Sequence, residues 1–224
     1  MRIAIHQPLF MPYYGFFQKL MEADVFVLLN DVQFSNDNFQ NYNRVKTPHG
    51  AMNLRVPIVK RFGQLICDVV VNDSVPWREK LCKSLQLNYA RAPHFSKVMP
   101  LLARNINAHT TSLQDISVGI ITDIVEALNV RKEIILSSDI QSEGRKTDRV
   151  VSICKALGAD EYLSGRGASA YQDARVFAEN GIALEYITPK PPMYKQLWGK
   201  FVNDLSFVDY LMNVGMEVPR EWST

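Results

Sequence analysis

The apolar positions change period along the chain, and the changes divide it into three stretches. Met1-Arg2-Ile3-Ala4-Ile5 and Asp24-Val25-Phe26-Val27-Leu28-Leu29 are short, nearly continuous apolar runs. Runs of this length predict strands buried on both faces, as in a parallel sheet. Between them, residues 14–22 place Phe17, Leu20 and Met21 on one face, so the first crossover is a short helix. The stretch from Val32 to Asn53 holds five asparagines and two glutamines and few aliphatics, and is expected to be extended or looped. Leu54–Ile58 and Leu65–Val71 fit a hairpin turning near Arg61-Phe62-Gly63.

The middle third reads as helical. Asp73 or Ser74 is positioned to cap a helix near Trp77–Asn88. Helices follow at about 97–108 and 112–128, the second carrying Ile116, Ile120, Ile124 and Leu128 at helical spacing. The last third resumes strand–helix alternation. Glu133–Ser138, Tyr162–Ser164 and Ala183–Ile187 are strands. Thr147–Leu157 is a helix closed by Gly158, residues 170–179 a helix closed near Gly181, and about 206–213 a final helix. Ser206 reads as its N-cap, with Asp209 completing a capping box of the acidic kind. Such spacing implies parallel pairing through right-handed crossovers. The expected fold is therefore α/β, a Rossmann-like, mostly parallel sheet with a β-hairpin and a helical insertion. Residues 1–224 are expected to form a single domain, the insertion occupying about 74–130.

Composition narrows the function classes. An apolar content of 47% over 224 residues suffices for a full core. A net charge of +2, without interleaved basic and aromatic residues, argues against nucleic acid as a partner. Cys67, Cys82 and Cys154 form no CxxC pair and read as packing residues of a reducing compartment. No apolar run approaches the ~18 residues of a membrane span and no targeting segment is visible, so a soluble, cytoplasmic protein is expected. His49, His94 and His109 are scattered, and no metal-ligand spacing is present.

The candidate chemistry starts where the first strand ends. His6 and Gln7 stand at its carboxyl end, the place where open α/β sheets bind ligands. A His-bearing turn after a first strand is similar to that of the α/β nucleotidylyltransferases. The second histidine of a His-x-Gly-His motif is missing, however, because Phe16 follows Gly15. The alternative makes His6 a satisfied, half-buried histidine and Gln7 a turn residue. Asp31 ends the second strand and is suited to act as base, metal ligand or hydroxyl anchor. Gln33, Asn41, Asn43 and Arg44 supply amides and a guanidinium that a polar ligand would satisfy, Arg44 being the best anion contact; a solvated loop is the alternative. Lys146 and Arg149 flank Thr147, which reads as the N-cap of the following helix; a positive helix start suits an anion, though the glycine spacing of a P-loop is absent and a plain basic helix start is the alternative. Ser164 closes a strand, and Gly165 and Gly167 let backbone amides approach a phosphate or carboxylate; a tight left-handed turn is the alternative. Tyr194 and Gln196 lie on a proline-bounded strap that could close over a ligand.

Taken together, these pieces resemble the WbqC-like family of bacteria. They comprise His6-Gln7-Pro8 with Pro12 and Gly15-Phe16-Phe17, Asp31-Val32-Gln33-Phe34, and Asn43-Arg44-Val45-Lys46. Leu157 through Gly165, Tyr171, and Leu205-Ser206 through Asp209 to Asn213-Val214-Gly215 continue them in order. The resemblance implies a setting in O-antigen and other surface-polysaccharide synthesis, and a transferase attaching an acyl or aminoacyl group to an amino sugar or sugar nucleotide. His6 would be general base or phosphate ligand, Asp31 would orient it or the acceptor, Arg44 and Lys146 would hold anionic groups, and the Gly165–Gly167 loop would cradle one. The substrate would be small, a sugar nucleotide or an activated acyl group, and a nucleotide or acyl donor would take part. Two rivals stay open: nucleotidyl transfer or ATP-dependent ligation, and a non-catalytic sugar-nucleotide binding or assembly protein.

Overall fold

A computed structural model describes every residue except Asp37, Ser223 and Thr224. The chain resolves into two compact units. The first comprises Met1–Gln7, Gly15–Asp31 and Lys132–Lys190; the second comprises Pro8–Tyr14, Val32–Arg131 and Pro191–Thr224.

The first unit is the expected parallel sheet. Its strands are β1 (Arg2–His6), β2 (Val25–Leu28), β5 (Glu133–Leu136), β6 (Glu161–Gly165) and β7 (Ala183–Ile187). They lie in the order β5-β2-β1-β6-β7, and every pairing is parallel. Helix α1 (Tyr14–Glu22) connects β1 to β2, and α5 (Thr147–Ala156) and α6 (Ala174–Glu179) complete the later crossovers. Strand side chains alternate between faces. Ile3 and Ile5 of β1 therefore share a core with Val25, Val27, Val151, Ile153, Cys154, Tyr162 and Phe177. Ala4 and His6 point to the other face, where Phe16 of α1 meets Phe26 of β2 edge-on at 5.1 Å. Gly158 ends α5 at φ 68° and Gly181 follows α6 at φ 70°, the left-handed positions their helix ends require.

The second unit contains the hairpin β3 (Tyr42–Thr47) and β4 (Gly50–Arg55) and the helices α2 (Trp77–Tyr89), α3 (Phe95–Ile106), α4 (Leu113–Ala127) and α7 (Phe207–Asn213). Leu81, Leu85, Val98, Leu102, Ile106, Ile116, Ile120 and Ile124 are all buried, as the helical spacing predicts.

Four local expectations are corrected. The hairpin lies within the asparagine-rich stretch, because its polar side chains find internal partners that make strand burial affordable. Leu54 and Arg55 complete β4, and Val56–Ile58 meets Leu65–Val71 through an isolated bridge of Ile58 with Val71 rather than a ladder, beside a short 3-10 turn at Ile66–Asp68. Asp73 and Ser74 do not cap α2: Pro76 stands at that position, and the Asp73 carboxylate accepts from Trp77 Nε1 at 2.7 Å. Thr147 is the first residue of α5 rather than its cap; its hydroxyl donates to the Tyr171 carbonyl and accepts from the Asp173 amide.

Ser206 caps α7 as expected, its hydroxyl accepting from the Val208 amide at 3.2 Å. The capping box is not made. The Ser206 amide donates to the Arg44 carbonyl instead, and the Asp209 carboxylate is used elsewhere. Ser206→Ala should cost about 1 kcal/mol in urea unfolding, the usual value of an N-cap, while Asp209 contributes nothing through capping.

Candidate functional site

The strand order reverses between β1 and β6, since the chain adds β2 and β5 on one side of β1 and β6 and β7 on the other. At such a switch point the loops leaving adjacent strands diverge and open a crevice at their carboxyl ends. His6 and Gln7 leave β1 there, and Ser164 and Gly165 leave β6.

His6 is half-buried and packs edge-on against Phe16 at 5.1 Å. Its Nδ1 lies 2.8 Å from the Gln7 carbonyl oxygen. A carbonyl only accepts, so Nδ1 carries the proton and Nε2 keeps its lone pair. Burial, reinforced by the charge of Lys19, lowers the imidazole pKa to about 3, which keeps the ring neutral across the physiological range.

Lys19 was not anticipated. It lies on the face of α1 that Phe16 occupies one turn earlier, and it is 4% exposed. Long helical side chains lean toward their helix N-terminus. Here that direction carries the amine to the carboxyl end of β1, where Nζ donates to the Ile5 carbonyl at 2.9 Å. Phe26 lies 5.9 Å from the amine. Burial lowers its pKa to about 7. The available signal was its place inside Phe16-Phe17-Gln18-Lys19-Leu20, where helical spacing sets a lysine among core positions.

The charged form of Lys19 is the one that burial opposes. Below pH 7 both folded and unfolded chains carry the proton, so the penalty is fully present there. It is relieved between pH 7 and 10.5 as the folded amine deprotonates. Lys19→Met should therefore raise the unfolding free energy by about 1–3 kcal/mol at pH 6, with the gain shrinking toward pH 10. Urea titrations at the two pH values read the difference.

Asp31 is engaged at the other side of β1. Its carboxylate accepts from Ser137 Oγ at 2.5 Å and forms an ion pair with Arg149. Neighbouring Asn30 binds the Ser138 amide at 3.0 Å. These bonds tie the end of β2 to the turn after β5. Arg149, one turn into α5, also donates to the Ser142 carbonyl.

Lys146 is exposed and has φ 50° and ψ −123° just ahead of α5. Ser164 is buried, and its hydroxyl donates to the carbonyl of its neighbour Gly165 at 3.4 Å. Arg166–Tyr171 forms a 3-10 turn. Gly165 has φ −80°, and a Cβ at either Gly165 or Gly167 would meet nothing within 4 Å. The expected helix over 170–179 begins only at Ala174, capped by Asp173. Tyr171 is 75% exposed.

The second unit holds the remaining candidates. Asn41 donates to the Val56 carbonyl and accepts from Arg55, and Asn43 donates to the Met11 carbonyl at 2.7 Å. Both amides thus have internal partners and hold the hairpin to flanking loops. Gln33 is exposed and pairs by an isolated bridge with Leu65. Arg44 reaches Asp204 at 4.0 Å, and its Nε is buried without a hydrogen-bond partner. Tyr194 and Gln196 join a buried network. Asp209 accepts from Tyr89 at 2.6 Å and Tyr194 at 2.8 Å, and Lys46 donates to Gln196 at 2.8 Å and to the Lys200 carbonyl. Burial raises the Asp209 carboxyl above its usual range and lowers the Lys46 amine. Lys46 and Asp209 lie at the centre of this network, a place the sequence did not suggest: Asp209 was expected only as the acid of a capping box and Lys46 only as the end of the Asn43–Lys46 motif.

Among the described residues, no group of three or more His, Cys, Asp or Glu is gathered to hold a metal, and no helix is long and apolar enough to cross a membrane.

Comparison with known proteins bears on the site as a whole. An uncharacterised protein of Mycobacterium tuberculosis, Rv1507c, is 32% identical over 222 residues, covering 97% of this chain and 96% of that one. No solved structure matches the chain significantly. The model of the WbqC-like protein family matches residues 7–221, which takes in Gln7 and the candidates after it in both units. The chain that carries this parallel sheet and its half-buried His6 belongs to the WbqC-like protein family.

Proposed function

We propose that the protein is a transferase of bacterial surface-polysaccharide synthesis, passing an acyl or aminoacyl group to the amine of an amino sugar or sugar nucleotide, with the crevice beside β1 and β6 as its site. The observation that carries this reading is the state of His6: a neutral ring with a free Nε2 lone pair at a strand end where ligands collect. In the reaction the acceptor nitrogen attacks the activated carbonyl carbon. A C–N bond forms, the bond to the leaving group breaks and its electron pair departs with that group. The proton released from nitrogen passes to Nε2 of His6 and from there to the leaving group or solvent. Asp31 acts through Ser137 and Arg149, fixing the loop after β2 rather than touching the ring.

The test is a screen of the full chain against nucleotide sugars, acyl-CoA and ATP with magnesium, followed by turnover with whichever pair binds. A ligand at a hundred times its dissociation constant raises stability by about 2.7 kcal/mol, which a thermal shift detects. Amide formation that is lost in His6→Gln supports acyl transfer. Pyrophosphate release from ATP would favour nucleotidyl transfer or ligation, and binding without turnover a non-catalytic protein.

A further inference from the structure

We propose that the loop tip Lys60-Arg61-Phe62-Gly63 is a docking point for an anionic lipid surface, with the Phe62 ring entering the interface and Lys60 and Arg61 meeting headgroup phosphates. The inference rests on residues of the second unit alone and is independent of the transfer reading.

The argument begins with an aromatic ring that the fold leaves outside. Phe62 is 106% exposed, so no neighbour shields it. An unshielded aromatic side chain leaves roughly 150–250 Å² of apolar surface in water. Val59 and Leu65 flank it, 41% and 36% exposed, and extend the apolar surface down both legs of the loop. Contiguous apolar surface of this kind marks an interaction site more often than a lone exposed residue does. The ring is displayed on a fixed base. One leg is held by the Val59 amide, which donates to the Val70 carbonyl at 2.8 Å. The other is held by the Phe34 amide on the Gln64 carbonyl and the Ile66 amide on the Val32 carbonyl, each at 2.9 Å. Gly63 has φ 70°, the left-handed step that turns the chain back directly after Phe62.

Charge at the tip selects the partner. Lys60 and Arg61 are exposed and make no ion pair among the described residues. From Asn38 to Cys67 the sequence contains no aspartate or glutamate. The tip is therefore positive and unneutralised, and its complement is an anionic surface. The grouping favours a lipid one. An apolar ring at the apex, with two cations next to it in the chain, matches hydrocarbon lying under a layer of phosphates. A protein partner would need a deep apolar pocket rimmed with acids to cover so prominent a ring. One ring and two cations make a weak contact, so attachment is reversible.

The experiment is co-sedimentation of the full chain with vesicles of phosphatidylglycerol and phosphatidylcholine in equal parts, against vesicles of phosphatidylcholine alone. The expected result is binding to the anionic vesicles at millimolar lipid, and binding to the neutral ones at least about tenfold weaker. Phe62→Ser should weaken binding to the anionic vesicles at least about tenfold, and so should Lys60→Ser combined with Arg61→Ser. Phe62→Trp should bind at least as well as the parent, because an indole suits the lipid interface. All three side chains are exposed, so the variants should unfold at the parent's urea midpoint and any loss of binding is not a loss of fold. No binding to anionic vesicles, equal binding to neutral ones, or unchanged binding by Phe62→Ser would each overturn the inference. A concentration-dependent dimer that Phe62→Ser abolishes would assign the tip to a second copy of the chain and overturn it as well.

Discussion

Asp209→Ala should lower the unfolding free energy by about 3–5 kcal/mol, the cost of removing one partner from a buried charged network. The carboxylate is fully buried and receives the hydroxyls of Tyr89 and Tyr194. Tyr89 in turn accepts the Lys46 amide at 2.9 Å, and Lys46 is itself buried and held by Gln196. Truncation leaves two phenolic donors without their acceptor and the Lys46 amine without the carboxylate that favours its charge. Asp209→Asn keeps the shape and an acceptor, so it should cost no more than about 1–2 kcal/mol. Urea unfolding of the two variants decides whether this network is a structural clasp. If Asp209→Ala is as stable as the parent, the carboxylate does not hold α7, the hairpin and the 194–200 strap together.

His6→Gln should lower the rate of group transfer by about 10²–10⁴, the range that a positioned general base contributes. Glutamine keeps a hydrogen-bonding end, so a purely structural role would leave turnover near its parent level. A second measurement separates the two. In the folded chain the His6 pKa is about 3, against about 6.5 when unfolded. Between those values the unfolded chain binds a proton that the folded chain refuses. The stability His6 contributes is therefore full above pH 6.5 and is lost as pH falls toward 3, at up to about 1.4 kcal/mol per pH unit. His6→Gln should flatten that acid limb. A parent and variant with identical acid limbs would show that the ring is not held neutral, and the assigned proton-acceptor state would fall with it.

The candidate site was legible in the sequence in proportion to how local its causes are. His6 could be placed at a strand end because Arg2–Ile5 declare a strand by their own pattern, and the residue after a strand must sit at its carboxyl edge. The amides of Asn41 and Asn43 were expected to await a ligand, yet backbone carbonyls of Val56 and Met11 already occupy them. Those acceptors come from loops with no patterned signal. Gly165 and Gly167 suggested a phosphate cradle on composition, whereas the segment that follows β6 is a 3-10 turn with open space around both glycines. Lys19 escaped notice because a lysine on an amphipathic helix is ordinarily exposed, and only packing against β1 and β2 shows that this one is not.

By itself the sequence determined the alternation of strands and helices, the parallel character of the sheet and the helical middle of the chain. These follow from apolar periodicity, which acts over a few residues. The tertiary structure alone decided which polar groups are spent on one another. Lys46 meets Gln196 across 150 positions of chain, and Asp31 meets Arg149 across 118. It also decided that the amine of Lys19 is buried against the Ile5 carbonyl, at the end of β1. A pairing over such separations depends on how whole elements pack, and desolvation depends on everything that surrounds a group, so neither is written in any short stretch of residues.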